Sequence, residues 1–129
     1  MAQRILVVDD DKDVCDLVCL LLESEGYEVT SALGGKQALR YAQSSTPDLV
    51  ITDVVMPEVD GFELLLALRT LCPAAKSVLM SGAGRLSPEQ YMQTARWLIA
   101  GEVLRKPFTR AEFLATVQRA LSTAASGGN

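Results

Sequence analysis

The chain lacks histidine altogether, and it contains few cysteines and few aromatic residues. Without an imidazole it cannot build a histidine-dependent catalytic triad or a histidine metal site. Its three cysteines are odd in number and do not have the spacing of metal ligands. We therefore interpret Cys15, Cys19 and Cys72 as small packing residues.

Long apolar runs are also missing. The longest, from Leu17 to Leu22, is far shorter than the roughly 18 residues that a membrane-spanning helix needs. The first residues lead directly into a strand-like segment and do not have the organisation of a signal peptide. We expect a cytoplasmic protein that makes no membrane contact.

The charges are unevenly distributed along the chain. Residues 1–63 carry 4 basic and 13 acidic side chains, whereas residues 64–129 carry 8 basic and 3 acidic side chains. A basic half can indicate a nucleic-acid surface, but no recognition-helix or aromatic-basic motif accompanies it here. We interpret the acidic residues as concentrated near one cation site, and we expect no direct binding of nucleic acid.

The 129 residues, of which 49% are hydrophobic, fit one domain with one core. Strand-like and helix-like segments alternate five times, which predicts a parallel sheet with right-handed crossovers and helices on both faces. The expected fold class is α/β, a single three-layer doubly wound domain over residues 1–122. A polar tail rich in glycine and serine follows at 123–129.

Periodicity and capping residues locate the elements. The predicted strands are 4–8, 27–31, 48–53, 76–80 and 102–105, and the predicted helices are 11–25, 36–44, 61–71, 87–98 and 110–121. The apolar spacing predicts that Leu17 and Val18 face the core from the first helix. It predicts the same for Phe62, Leu65 and Leu68 in the third helix.

Reactive side chains follow four of the predicted strands. Asp9 and Asp10 follow the first, Asp53 ends the third, Ser81 follows the fourth and Lys106 follows the fifth. The carboxyl ends of parallel strands meet at one edge of a sheet, where ligand sites form. These five side chains are therefore expected to lie together.

Three adjacent carboxylates would repel one another unless a cation neutralised them. An incomplete set of oxygen ligands suits Mg2+, which keeps several waters and accepts phosphate oxygens. Lys106 adds a positive charge and Ser81 a hydroxyl donor. Around a carboxylate nucleophile such as Asp53, these groups are typical of phosphoryl transfer through an aspartyl phosphate.

The chain resembles the response-regulator receiver domains of two-component (phosphorelay) signalling, with some likeness to those attached to hybrid sensor kinases. The matching segments are 5–11 (ILVVDDD), 47–57 (PDLVITDVVMP), 60–61 (DG), 78–82 (VLMSG) and 106–108 (KPF). The resemblance as a whole covers residues 4 to about 121. The resemblance implies a flavodoxin-like (βα)5 fold with strand order 2-1-3-4-5, an order for which a chemotaxis receiver is a known example.

The resemblance also implies roles for individual residues. Asp53 corresponds to the phosphoacceptor, Asp10 to the direct Mg2+ ligand and Asp9 to a ligand acting through water, while the Val55 carbonyl corresponds to the backbone metal ligand. Ser81 corresponds to the hydroxyl that follows the phosphoryl group, and Lys106 to the lysine that pairs with it. The bond between Lys106 and Pro107 corresponds to a peptide that is cis in the family.

A receiver takes its phosphoryl group from a sensor histidine kinase or a histidine phosphotransfer protein. Because this chain has no histidine, the donor must be another chain. The resemblance implies a signalling domain with autocatalytic phosphoryl transfer and slow autodephosphorylation rather than a separate enzyme. It also implies an output surface, and a possible homodimer contact, formed by the fourth helix, the fifth strand and the last helix.

One residue departs from the family pattern within that surface. Receivers usually carry phenylalanine or tyrosine three residues before the lysine, and this chain has Val103 there. The aromatic ring is expected to turn inward when the switch hydroxyl moves. With Val103 we expect this step to be missing or muted.

Three other classes fit parts of the pattern. A haloacid-dehalogenase-like phosphatase would use Asp9, but Asp13 stands where its motif prefers threonine or valine, and no cap domain is present. A flavodoxin-like electron carrier needs a first loop that accepts a flavin phosphate, and the acidic residues 9–11 would repel it. A receiver that is never phosphorylated and acts only as a docking module is the third alternative.

Overall fold

The computed structural model describes residues 2–54, 56–82 and 101–122. Its strands are β1 (Arg4–Val8), β2 (Glu28–Ala32), β3 (Leu49–Asp53), β4 (Lys76–Ser81) and β5 (Glu102–Arg105). Its helices are α1 (Lys12–Glu23), α2 (Gly35–Ser44), α3 (Gly61–Leu71) and the C-terminal helix (Arg110–Ser122). The strands form one sheet in the order β2-β1-β3-β4-β5, and every pair is parallel. The predicted fold class and strand order are confirmed.

The core lies on both faces of the sheet because successive strand residues point in opposite directions. On β1, Ile5 and Val7 pack with α1 and the C-terminal helix, whereas Leu6 and Val8 pack with α2 and α3. All four are buried. A strand that is apolar on both faces is what a central parallel strand requires.

Aspartates cap the N-termini of α1 and α3, two of the helices that follow the carboxyl ends of the strands. Asp11 caps α1, where its Oδ1 accepts hydrogen bonds from the backbone of Asp13 and Val14. Asp60 caps α3 and forms a capping box with Glu63, so that two backbone N–H groups are satisfied reciprocally. These caps fix the chain directly after β1 and shortly after β3.

The first helix differs from its prediction in length and in its buried face. It ends at Glu23, two residues early, and Gly26 adopts a φ of 90° in the turn that follows. Its buried residues are Cys15, Val18 and Leu22, while Leu17 is 56% exposed. The prediction for Leu17 was wrong because α1 is apolar on more than one side, and only its i, i+3, i+7 stripe meets the sheet.

Smaller differences occur elsewhere. Strand β2 begins one residue later than predicted and extends to Ala32. In α3 the buried leucines are Leu64, Leu65 and Leu68, whereas Phe62 is only half-buried. Leu65 and Leu68 are therefore buried as predicted, and Leu64 takes the buried position that was predicted for Phe62.

Several predictions fall on residues that the structure does not describe. These are the helix at 87–98, the metal ligand proposed at Val55 and the tail at 123–129. The division of the chain at residue 122 stays a prediction. Among the described residues, no helix combines the length and the apolar character needed to cross a bilayer.

Candidate functional site

The central strands bring three carboxylates together. β1 and β3 are neighbours, and Val8 lies beside Thr52, so Asp9 and Asp53 leave the sheet side by side. One carboxylate oxygen from each of Asp9, Asp10 and Asp53 lies within 4.8 Å of the others. The predicted grouping of these carboxylates is present in the structure.

Asp9 is the most enclosed member of the group, with 1% of its surface exposed. Its Oδ1 accepts a hydrogen bond from the Asp11 backbone over 3.0 Å, and its Oδ2 accepts one from Lys106 Nζ over 3.2 Å. Its own backbone N–H donates to the Ala32 carbonyl on β2. Asp9 is therefore held by both of its carboxylate oxygens, whereas Asp10 next to it is exposed.

Asp53 combines partial burial with competing charges. Its Oδ1 accepts a hydrogen bond from the Val54 backbone over 3.0 Å and lies 3.5 Å from Lys106 Nζ. Burial raises the pKa of Asp53, Lys106 lowers it and Asp9 raises it, with a net result above the usual value. The ionised carboxylate is thus destabilised in the absence of a metal ion.

Lys106 forms ion pairs with both Asp9 and Asp53. Burial disfavours its ammonium form, but Asp53 and Asp9 outweigh burial and hold the pKa of Lys106 above its usual value. Its backbone N–H donates to the Ser81 carbonyl over 2.8 Å, and its peptide bond to Pro107 is cis. The lysine therefore stays charged at neutral pH, with its Nζ directed at both carboxylates.

Ser81 is the last residue of β4, and it is 3% exposed. Met80 lies opposite Asp53 in the sheet, so Ser81 follows the same edge one position further on. Val103 lies on β5 opposite Leu79, half-buried against the core on the α2 and α3 face. The predicted switch hydroxyl and the atypical valine therefore lie on the adjacent strands β4 and β5.

Cys15 contacts the main chain of Asp9. No feature of the sequence indicated this contact. Its thiol donates to the Asp9 carbonyl over 3.3 Å. Burial raises the pKa of the Cys15 thiol to about 11, with the charge of Asp9 adding to the effect. The thiol is therefore uncharged at neutral pH and packs rather than reacts.

The raised pKa of Asp53 predicts a specific dependence of stability on pH. Between the ordinary carboxyl value of 3.8 and the raised value, the folded protein binds a proton that the unfolded chain has released. The free energy of unfolding therefore falls as pH rises through this window and stays reduced above it. Without Mg2+, Asp53→Asn should be more stable than the wild type at neutral pH, and this advantage should shrink on acidification. Urea unfolding of both proteins measures it, and an advantage independent of pH contradicts it.

The described fold is a CheY-like α/β domain with an acid cluster at the carboxyl edge of its sheet. The model of the response regulator receiver domain matches residues 5–118, and the chain belongs to this family. It is therefore a receiver domain of the two-component response regulators, which interact with histidine kinases or phosphotransfer proteins.

The chain is also similar to individual proteins and to solved structures. The chain is 38% identical over 115 residues to the uncharacterized 14.6 kDa protein in the sodA1 3′ region of Leptolyngbya boryana, covering 89% of this chain and 87% of that protein. It is 35% identical over 121 residues to regulatory protein VanRc of Enterococcus gallinarum, covering 94% of this chain and 51% of VanRc. The crystal structure of Vibrio cholerae chemotaxis protein CheY4 superposes with a TM-score of 0.85 at 33% identity, covering 94% of this chain and 100% of that one.

The relatives differ in length. The chain spans most of the Leptolyngbya protein but only about half of VanRc (51%) and of PrrA from Mycobacterium leprae (49%). What the longer proteins do beyond the shared part therefore does not carry over to this chain. The family assignment also leaves the phosphatase and electron-carrier alternatives without support.

Proposed function

We propose that this receiver domain is a phosphorylation-dependent switch whose phosphoacceptor is Asp53. The observation that carries the proposal is the joint position of Asp9, Asp10, Asp53 and Lys106 at one sheet edge. Three carboxylates with one ammonium group leave a net negative charge that suits a divalent cation. We assign the reacting carboxylate to Asp53, which is half-buried and lies 3.5 Å from Lys106 Nζ.

The donor set fits Mg2+. All the ligands are oxygens, and three carboxylates leave room for waters and a phosphate oxygen in octahedral coordination. We assign direct contact to Asp10 and Asp53, and contact through water to Asp9, whose oxygens already accept two hydrogen bonds. The Val55 carbonyl is the proposed backbone ligand. Bound there, Mg2+ would neutralise charge on the oxygens of the transferring phosphoryl group.

Phosphoryl transfer then needs little covalent chemistry from the protein. A carboxylate oxygen of Asp53 forms the new P–O bond while the P–N bond of the donor's phosphohistidine breaks. The departing imidazole keeps the electron pair and takes up a proton. Lys106, already within 3.5 Å of Asp53, stabilises the charge on the phosphoryl oxygens, and Ser81 donates a hydrogen bond to one of them.

The donor and the readout follow from features of this chain. Since these 129 residues contain no histidine, the phosphohistidine lies outside them, and we assign it to a histidine kinase or phosphotransfer protein. Phosphorylation changes the surface formed by the helix predicted at 87–98, β5 and the C-terminal helix, through which a protein effector or a second copy binds. Val103 cannot make the ring movement of the usual aromatic residue, so the movement of Ser81 itself carries most of the signal.

The proposal is tested by phosphorylating the purified chain with a small-molecule acyl phosphate. We expect a Phos-tag mobility shift that requires Mg2+. Asp10→Asn should raise the Mg2+ concentration needed for half the maximal rate by at least about tenfold, because a ligand is lost. No shift in the wild type, or the same shift without divalent ions, contradicts the proposal and favours a docking module that is never phosphorylated.

Asp16→Asn is the matched control for Asp10→Asn. Asp16 is an exposed aspartate of α1 whose Oδ2 pairs with Lys12 four residues earlier, outside the acid cluster. The Asp16→Asn substitution removes the same charge as Asp10→Asn from the same part of the chain. The Mg2+ requirement of Asp16→Asn should match that of the wild type, which separates ligation from net charge.

A further inference from the structure

The main-chain carbonyl of Asp53 is enclosed by two neighbours. Thr52 Oγ1 donates a hydrogen bond to this carbonyl oxygen over 2.9 Å. Gly61, in the first turn of α3, packs closely against the same oxygen. Thr52, which directly precedes Asp53, is fully buried, so its hydroxyl is shielded from solvent.

The approach of α3 is so close that only glycine fits. A Cβ atom at Gly61 would collide with the Asp53 carbonyl oxygen and would lie 2.9 Å from the Cα of Val54. The backbone N–H of Gly61 donates to the Val54 carbonyl over 2.7 Å. The capping box of Asp60 fixes the same turn of the helix. The start of α3 is therefore docked on the peptide that carries the Asp53 carboxylate.

We propose that Thr52 and Gly61 are positioning residues. They fix the position of the Asp53 carboxylate relative to Lys106 by holding the peptide that carries it. The inference rests on the proposed role of Asp53 as phosphoacceptor. Any shift of this peptide moves the carboxylate together with the Val54 N–H that donates to it. Transfer is sensitive to such shifts, since a misplacement of about 1 Å can cost about 100-fold in rate.

Two matched pairs of variants separate positioning from packing. Gly101→Ala is the control for Gly61→Ala, because a Cβ at Gly101 would collide with the Ser77 hydroxyl and lie 2.6 Å from the Ser77 carbonyl oxygen. Thr116→Val is the control for Thr52→Val. Thr116 is also a buried threonine, and its hydroxyl donates to the Glu112 carbonyl over 2.9 Å within the C-terminal helix.

The readout is the phosphorylation rate per folded molecule at saturating Mg2+ and saturating acyl phosphate, with urea unfolding alongside. We expect Gly61→Ala to lose at least about tenfold in rate and Thr52→Val to lose about threefold or more. Both controls should stay within about twofold of the wild type even where they lose as much stability. A purely structural role instead predicts rate losses that follow the stability losses across all four variants.

Every outcome decides the proposal. If Gly61→Ala does not fold, the comparison of Thr52→Val with Thr116→Val decides, and equal rates overturn the inference. If the wild type is phosphorylated but Gly61→Ala and Thr52→Val match their controls, the positioning role fails and the proposed function stands. If the wild type is not phosphorylated, the proposed function fails and the positioning role fails with it.

Discussion

Asp53→Asn is expected to abolish phosphorylation of the chain, with a rate loss of at least about 1,000-fold, as removal of a catalytic nucleophile does elsewhere. The amide has the shape of the carboxylate, and its oxygen can still accept the hydrogen bond from Val54. What it lacks is the charged nucleophile. Phosphate incorporation from a small-molecule donor, followed by intact-protein mass spectrometry, measures the loss.

Asp48→Asn is the control for this variant. Asp48 is an exposed aspartate that immediately precedes the same strand, where its Oδ2 accepts a hydrogen bond from the Arg4 backbone at the opposite edge of the sheet. Its loss removes the same charge but leaves the acid cluster intact, so phosphorylation should proceed as in the wild type. Persistent phosphorylation of Asp53→Asn would show that another residue is the acceptor.

Lys106→Met is expected to slow phosphorylation by about 100-fold at saturating Mg2+, the scale of losing one preorganised charge donor in an enclosed site. The methionine keeps most of the length of the side chain but leaves the carboxylates of Asp9 and Asp53 without their ammonium partner. Repulsion between them is then relieved only by the metal ion. Phosphorylation rates measured over a range of Mg2+ concentrations separate this effect from metal binding.

Lys36→Met tests whether any lost lysine has this effect. Lys36 pairs with Glu58 over 3.2 Å, and both side chains are mostly exposed. Such a pair contributes little to stability and makes no contact with the acid cluster. We expect the rate of Lys36→Met to match the wild type, and equal losses in both variants would rule out a specific role for Lys106.

Strand ends were the most informative part of the sequence. The apolar runs ending at Val8 and Asp53 have the composition of buried parallel strands, and a parallel sheet must bring their carboxyl ends to one edge. The strand assignment alone therefore placed Asp9, Asp10 and Asp53 at one edge of the sheet, whereas their close grouping also requires β1 and β3 to be neighbours. The strand order did not follow from this assignment, because alternation of strands and helices is compatible with several orders, and it came from the resemblance to receivers.

Contacts between elements were beyond the reach of the sequence. In α1, leucines and cysteines occupy several sides of the helix, and only the position of the sheet selects Cys15 over Leu17 as a core residue. Likewise, a glycine after the Asp60 cap is an ordinary helix start. Its contact with the Asp53 carbonyl depends on how closely α3 approaches β3, which no local pattern specifies.

The account's central claim is that Asp53 is the residue that carries the phosphoryl group. Its most direct test is to phosphorylate the wild-type chain in Mg2+, trap the acyl phosphate with borohydride and map the modified peptide by mass spectrometry. The predicted result is a single modified residue, Asp53, and no modification when Mg2+ is withheld. Modification at Asp9 instead, or at neither residue in the presence of Mg2+ and donor, would contradict it.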